Sequence, residues 1–244
     1  MDALLLIALG WAAGGLVNGL AGFGVAMVAM PLVAGSMGMA TAVPSCTLIT
    51  LAANAQVGWS MRGHLAWPRV GPLLLGAAPG AILGVTLLRS LPEAMLKGGM
   101  ALFIVGYAAW GLLCEAGARR VLSRWWGCLA GLLSALFGTA FGFNGPPLVA
   151  YVALSGLEKN ASKAVLGAGF VGTGVVMAAA QAAAGLYTGH ALLVVLVSIP
   201  ATMAGVHLGS RLSARLGERS YRTMVFVLLL AMGSHILWGL WRAA

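Results

Sequence analysis

Long apolar runs separated by short polar connections set the pattern of this chain. No Asp, Glu, Lys or Arg occurs from Ala3 to Met61, Val70 to Leu88, Gly98 to Cys114, Trp125 to Leu157, Ala164 to Ser210 or Thr223 to Trp241. A helix needs ~20 mainly apolar residues to span a bilayer, with a usable range of roughly 17–25. The three short runs fit one span each, the runs from Ala3 and Ala164 two each, and the run from Trp125 one long span. The pattern therefore predicts an all-α membrane protein of eight transmembrane helices, near 3–34, 44–61, 70–88, 97–114, 125–154, 164–186, 190–210 and 222–241. Barrel strands would alternate in segments of ~10 residues, and these runs are continuously apolar. Most tryptophans, among them Trp67, Trp110, Trp125, Trp126, Trp238 and Trp241, fall near the proposed ends, as an aromatic belt requires. Trp11 falls mid-span.

Composition strengthens this reading. Apolar residues make up 61% of the chain and charged residues only 8%, against ~25% charged in soluble domains. The formal charge of +9 sits in short loops, where it meets lipid headgroups, so nucleic acid is excluded as a partner. Cys46, Cys114 and Cys128 have no paired spacing, which argues against a disulfide framework or zinc site, and no cofactor is expected. Met1-Asp2 lacks a basic n-region, so the first span is expected to stay in the mature protein.

The chain repeats itself. Displaced by 116 residues, Gly15-Leu16 falls on Gly131-Leu132, Gly22 on Gly138, and Pro31-Leu32-Val33-Ala34 on Pro147-Leu148-Val149-Ala150. Displaced by 121, Pro79 falls on Pro200 and Gly84 on Gly205. Two four-helix halves follow, 1–114 and 125–244, joined by the basic connection 115–124. The first helix of each half is long and broken. Four spans per half place the copies in parallel; an inverted pair requires each long span to re-enter. With eight spans, six basic residues lie on the side of the termini and eight on the other, which barely orients the protein.

The breaks carry the chemistry. Gly22-Phe23-Gly24 interrupts one long run, and Gly142-Phe143-Asn144-Gly145-Pro146-Pro147 interrupts its copy. Backbone freed inside hydrocarbon is costly unless it is buried in protein or lines a cavity. Paired interruptions in matching halves are a sequence pointer to a transporter's site. The N-termini of the half-helices favour an anion. Asn18, Gly22, Gly24, Asn144 and Gly145 are the candidate site residues, with Lys163 either contacting the anion or snorkelling to the interface. Asn54, Gln56 and Gln181 should also face the bundle interior. Gly76-Gly80-Gly84 and Ala201-Gly205-Gly209 have the spacing of close helix packing.

The segment Gly15-Leu16-Val17-Asn18-Gly19-Leu20-Ala21-Gly22-Phe23-Gly24 with Pro31-Leu32, and its copy from Gly131-Leu132 through Pro147-Leu148, resemble the sulfite exporter TauE/SafE family. Val25-Ala26-Met27 and Asn144 depart from the glycine runs usual there. The resemblance implies a multi-pass inner-membrane secondary transporter that exports sulfite or an organosulfonate. An anion channel, or a carrier for another small organic anion, is the alternative. An enzyme is not expected: Asp2, Glu93, Glu115, Glu158 and Glu218 lie outside the apolar runs, and no two histidines have metal spacing. The predicted partners are a small anion and membrane lipid, and a homo-oligomer is compatible with the pattern.

Overall fold

The computed structural model describes residues 2–21, 24–60, 67–113, 122–213 and 218–243. These form ten α-helices and no strand: α1 (Asp2–Ala21), α2 (Val25–Met37), α3 (Met39–Ser60), α4 (Trp67–Ser90), α5 (Glu93–Leu113), α6 (Arg124–Phe141), α7 (Gly145–Leu154), α8 (Lys159–Ala183), α9 (Gly189–Ser213) and α10 (Glu218–Ala243). By length and composition, four apolar stretches can each cross a membrane: Trp67–Ser90, Glu93–Leu113, Ala164–Ala183 and Gly189–Leu212.

Ten helices replace the expected eight because each long run divides in two. Gly10 lies against Val33, while Gly14 lies against Val25 and Ala29, so α2 runs back along α1. Gly127 meets Tyr151 and Gly138 meets Asn144, so α7 likewise folds back on α6. Helices of 13 and 10 residues are about 20 and 15 Å long at 1.5 Å per residue. Both are shorter than the ~30 Å hydrocarbon core. The long runs are therefore helical hairpins and not kinked rods.

Glycine fixes the tightest helix pairs. Along α4, side chains at Gly76, Gly80 and Gly84 would run into backbone carbonyls at Cys128, Leu132 and Leu136 of α6, and one at Gly131 would strike Leu73. Along α1, side chains at Gly15 and Gly19 would strike Thr202 and Val206 of α9, while Gly205 and Gly209 abut Ala12 and Leu16. Both pairs run parallel. Small residues let backbones approach where lipid is as apolar as leucine and gives no solvent drive. By contrast α5 and α10 run antiparallel: Gly111 meets Phe226, Gly233 meets Val105 and Gly98 meets Leu240.

These directions sort the helix ends onto two faces. Gly38 lies beside Glu93, Arg89 donates to the Ala184 carbonyl and Ser45 donates to the Ala191 carbonyl at 3.2 Å. One face thus carries the α2–α3, α4–α5 and α8–α9 connections together with the outer ends of α1 and α10. The opposite face carries the ends joined by 61–66, 114–123, 155–158 and 214–217. Trp67, Trp125 and Trp126 are exposed near this second face, and Trp238 and Trp241 near the first. Trp11 is fully buried in the core of the first hairpin.

The α4–α6 interface yields a test. Gly131→Ala should cost about 1–3 kcal/mol, the range of over-packing, and lower the thermal midpoint in detergent by several degrees. At Gly106 on α5 an added methyl would meet nothing within 4 Å, so this position should tolerate alanine or gain from its helix propensity. Equal midpoints for the two variants would contradict the packing described.

Candidate functional site

The two hairpin tips meet. They enter from opposite faces, and a cavity between them is lined by Asn18 and Gly24 of the first hairpin and by Phe143, Asn144 and Gly145 of the second. Thr50 and Asn54 of α3 and Phe170 of α8 complete the wall with the first turn of α2. The cavity encloses about 300 Å³ of empty space, part of it open to the surface. Thr50 and Phe170 lie near the middle of α3 and α8, which places the cavity away from both faces.

Each tip has its own local chemistry. Gly24 precedes α2 with φ 104°, and Gly142 follows α6 with φ 92°. Both are left-handed conformations in which any side chain is strained. The Gly142 amide still donates to Gly138 at 3.0 Å, while its carbonyl accepts the Cys46 thiol at 3.1 Å. Ser134 donates to the Asn144 carbonyl at 2.7 Å. Side chains from α3 and α6 thus satisfy carbonyls that the helix interruption frees. Phe143 is buried and stacks on Phe103 with centroids 5.5 Å apart, which anchors the tip.

Three carboxamides converge on the cavity. Asn18 is 4% exposed, and Asn54 and Asn144 are 9% exposed. Asn144 Nδ2 donates to Thr173 Oγ1 at 3.3 Å, and the Thr173 hydroxyl itself donates to the Gly169 carbonyl at 2.7 Å. Among the described residues, the Asn18 and Asn54 amides make no hydrogen bond within the protein, and both residues border the cavity's open space, where a bound polar ligand can engage them. The first turn of α2 adds N–H groups without intrahelical partners, whereas that of α7 adds only the Gly145 amide because Pro146 and Pro147 have none; both contribute the positive end of a helix dipole. No charged side chain is among the lining residues.

Of the residues singled out in the sequence, Asn18, Gly24, Asn144 and Gly145 line this cavity. Gly22 and the side chains of Lys163 and Gln56 lie outside what the structure describes. Gln181 is buried away from the cavity, where its Oε1 accepts the Tyr187 hydroxyl at 2.9 Å. His207 and His235 are exposed on the outer faces of α9 and α10. Cys46, Thr50, Ser134 and Thr173 carry no site signal in the sequence. Small polar side chains inside an apolar helix leave no periodic trace until their neighbours are known.

Removing one support should reveal the tip's dependence on it. Ser134→Ala removes a hydrogen bond to the buried Asn144 carbonyl, a loss of about 0.5–1.5 kcal/mol. We expect a lower thermal midpoint in detergent; a midpoint unchanged from the parent protein would show that the carbonyl finds its partner elsewhere.

Comparison with known proteins agrees with this architecture. The sulfite exporter TauE/SafE family matches residues 6–236. The chain is 28% identical over 190 residues to the probable inner membrane transporter protein TsaS of Comamonas testosteroni, covering 73% of this chain and 75% of that one. No solved structure matches significantly. With the match running from the first hairpin to the last helix, the chain belongs to the sulfite exporter TauE/SafE family of membrane transporters.

Proposed function

We propose that this protein is a secondary carrier that exports small sulfur oxyanions or organosulfonates across the inner membrane, binding them between the two hairpin tips. The observation that carries the proposal is the convergence of Asn18, Asn54 and Asn144 with two helix N-termini on one cavity. Donors aimed into a water-poor site suit an oxyanion. The family match and the inner-membrane transporter name of the TsaS relative support both the class of activity and the location.

In this reading the two halves are inverted copies. The starts of α2 and α7, Val25 and Gly145, lie 120 residues apart, as do those of α3 and α8, Met39 and Lys159. α1 packs on α9 as α6 packs on α4, so each half lends its first helix to the other. Each half holds five helices, one of them short and re-entrant, and an odd number reverses the second copy. The parallel arrangement that four spans per half suggests is thereby replaced.

Inversion also orients the molecule. Among the described residues, Arg89, Lys97 and Arg242 lie on the face of the termini, and the other seven basic residues belong to helix ends at the opposite face. The positive-inside rule makes that richer face cytoplasmic. A C-terminal epitope tag should then be reached by antibody on spheroplasts, and a tag inserted at Gly117 should be reached only after lysis. The reverse pattern would overturn the orientation.

The driving force is the membrane potential. No carboxylate lines the cavity, and the two histidines best placed in the chain to couple protons, His207 and His235, face outward. Moving one charge through 100 mV is worth ~2.3 kcal/mol, against about 1.4 kcal/mol for a tenfold concentration difference. With the cytoplasm negative, the potential alone sustains export of an anion. In proteoliposomes, saturable sulfite flux should follow a potassium diffusion potential at equal pH and show counterflow. Asn144→Ala should slow it more than Asn54→Ala, because Asn144 sits at the helix end and its amide also donates to the Thr173 hydroxyl of α8. Flux that ignores the potential, requires a pH gradient and disappears in His207→Ala would contradict this mechanism.

A further inference from the structure

We infer that the cavity selects singly charged oxyanions and rejects doubly charged ones, with Thr50 as the residue that senses the ligand's proton. This rests on the cavity being the substrate site.

The first ground is the absence of compensating charge. Every cavity-lining residue is neutral. The solvation cost of burying an ion rises with the square of its charge, so a dianion loses roughly four times as much as a monoanion of equal size. The two helix N-termini supply partial charges of about half a unit each, and the side-chain amides add only dipoles. They can balance one negative charge and not two.

The second ground is the direction of the Thr50 hydroxyl. Its proton is directed to the carbonyls of its own helix, Cys46 at 2.7 Å and Thr47 at 3.2 Å. With that proton engaged inside α3, the hydroxyl of this cavity-lining residue has only lone pairs left to offer a ligand. A bare oxyanion is repelled by it, whereas an oxygen that carries a proton can donate to it. The Thr173 hydroxyl is fixed in the same way and holds one N–H of Asn144, leaving that amide's Oδ1 as a further acceptor.

The third ground is asymmetry. Counting 120 residues on from Asn18 and Asn54 gives Gly138 and Gly174, and 120 back from Asn144 gives Gly24. Each amide thus has a glycine at the equivalent position of the other copy, so the frame is nearly two-fold but its lining is not. Such a lining fits a ligand with unlike ends better than a symmetric dianion. Hydrogensulfite protonated on oxygen meets all three conditions, and sulfate meets none.

No titratable group lines the cavity. On the elements packed around it, the nearest are Cys46 on α3, bonded to the Gly142 carbonyl, Tyr151 on α7, and Lys159 and Lys163 at the start of α8. Any pH dependence near neutrality therefore belongs to the ligand.

The test is calorimetric binding to the purified full-length protein, with sulfite, methanesulfonate and sulfate titrated from pH 6 to 9. Apparent sulfite affinity should fall about tenfold per pH unit above the ligand's own pKa. Methanesulfonate, a fixed monoanion, should bind equally across the range, and sulfate should not compete. Thr50→Val should shrink the preference for hydrogensulfite over methanesulfonate by about tenfold, the worth of one hydrogen bond of ~1.4 kcal/mol. Sulfite affinity that is flat or rises with pH, competition by sulfate, or an unchanged preference in Thr50→Val would overturn the selection of monoanions while leaving the site in place. Binding of neither sulfite nor methanesulfonate at any pH would overturn the site itself.

Discussion

Inside a bilayer no water completes a hydrogen bond, so any interruption of a helix must find its partners within the protein. That constraint shapes the centre of this molecule. The second tip survives because Cys46 and Ser134 reach the carbonyls of Gly142 and Asn144 from neighbouring helices. The same requirement explains why the described parts of the two tips, Gly24 and Phe143 to Gly145, border one cavity inside the protein. The polar groups left over at their junction are the ones a ligand can use.

Close packing makes this junction possible. The glycine faces of α4 and α6, and of α1 and α9, allow backbone contact at several successive turns. Each hairpin is thereby clamped along its first helix by a helix of the other half. In the proposed carrier the two halves would share one site, and their relative rocking would expose it to either face in turn. The cations on the face of the termini are each held locally: Arg89 by the end of α8, Lys97 by Glu93 at 2.8 Å, and Arg242 over the Trp238 ring. Their charge is thus spent on the fold near that face, away from the buried site.

Much of this was legible in the sequence. The uncharged runs located the helices, the Gly142-Phe143 motif located the turn between α6 and α7, and Asn18, Asn144 and Gly24 are on the cavity wall. What hydropathy could not convey was direction. A run such as Ala3–Met61 reads alike whether its break is a kink or a reversal, and that choice decides whether the second half is parallel or inverted. The repeat offset read from the prolines also differs from the structural one by about a turn. Pro31 and Pro147 match at 116 residues, but α2 and α7 begin 120 apart, since the second tip places its prolines nearer the turn. Thr50 could not be recognised from sequence, because its role depends on where its hydroxyl proton goes.

The central claim is that an oxyanion binds between Gly24 and Asn144, held by neutral amides. Anomalous diffraction from crystals grown with selenite, a selenium analogue of sulfite, tests it most directly. The account predicts one anomalous peak within hydrogen-bonding distance of the Asn18, Asn54 and Asn144 side chains. A peak beside Lys163 or the basic residues of the face opposite the termini, with the cavity between the tips unoccupied, would contradict it.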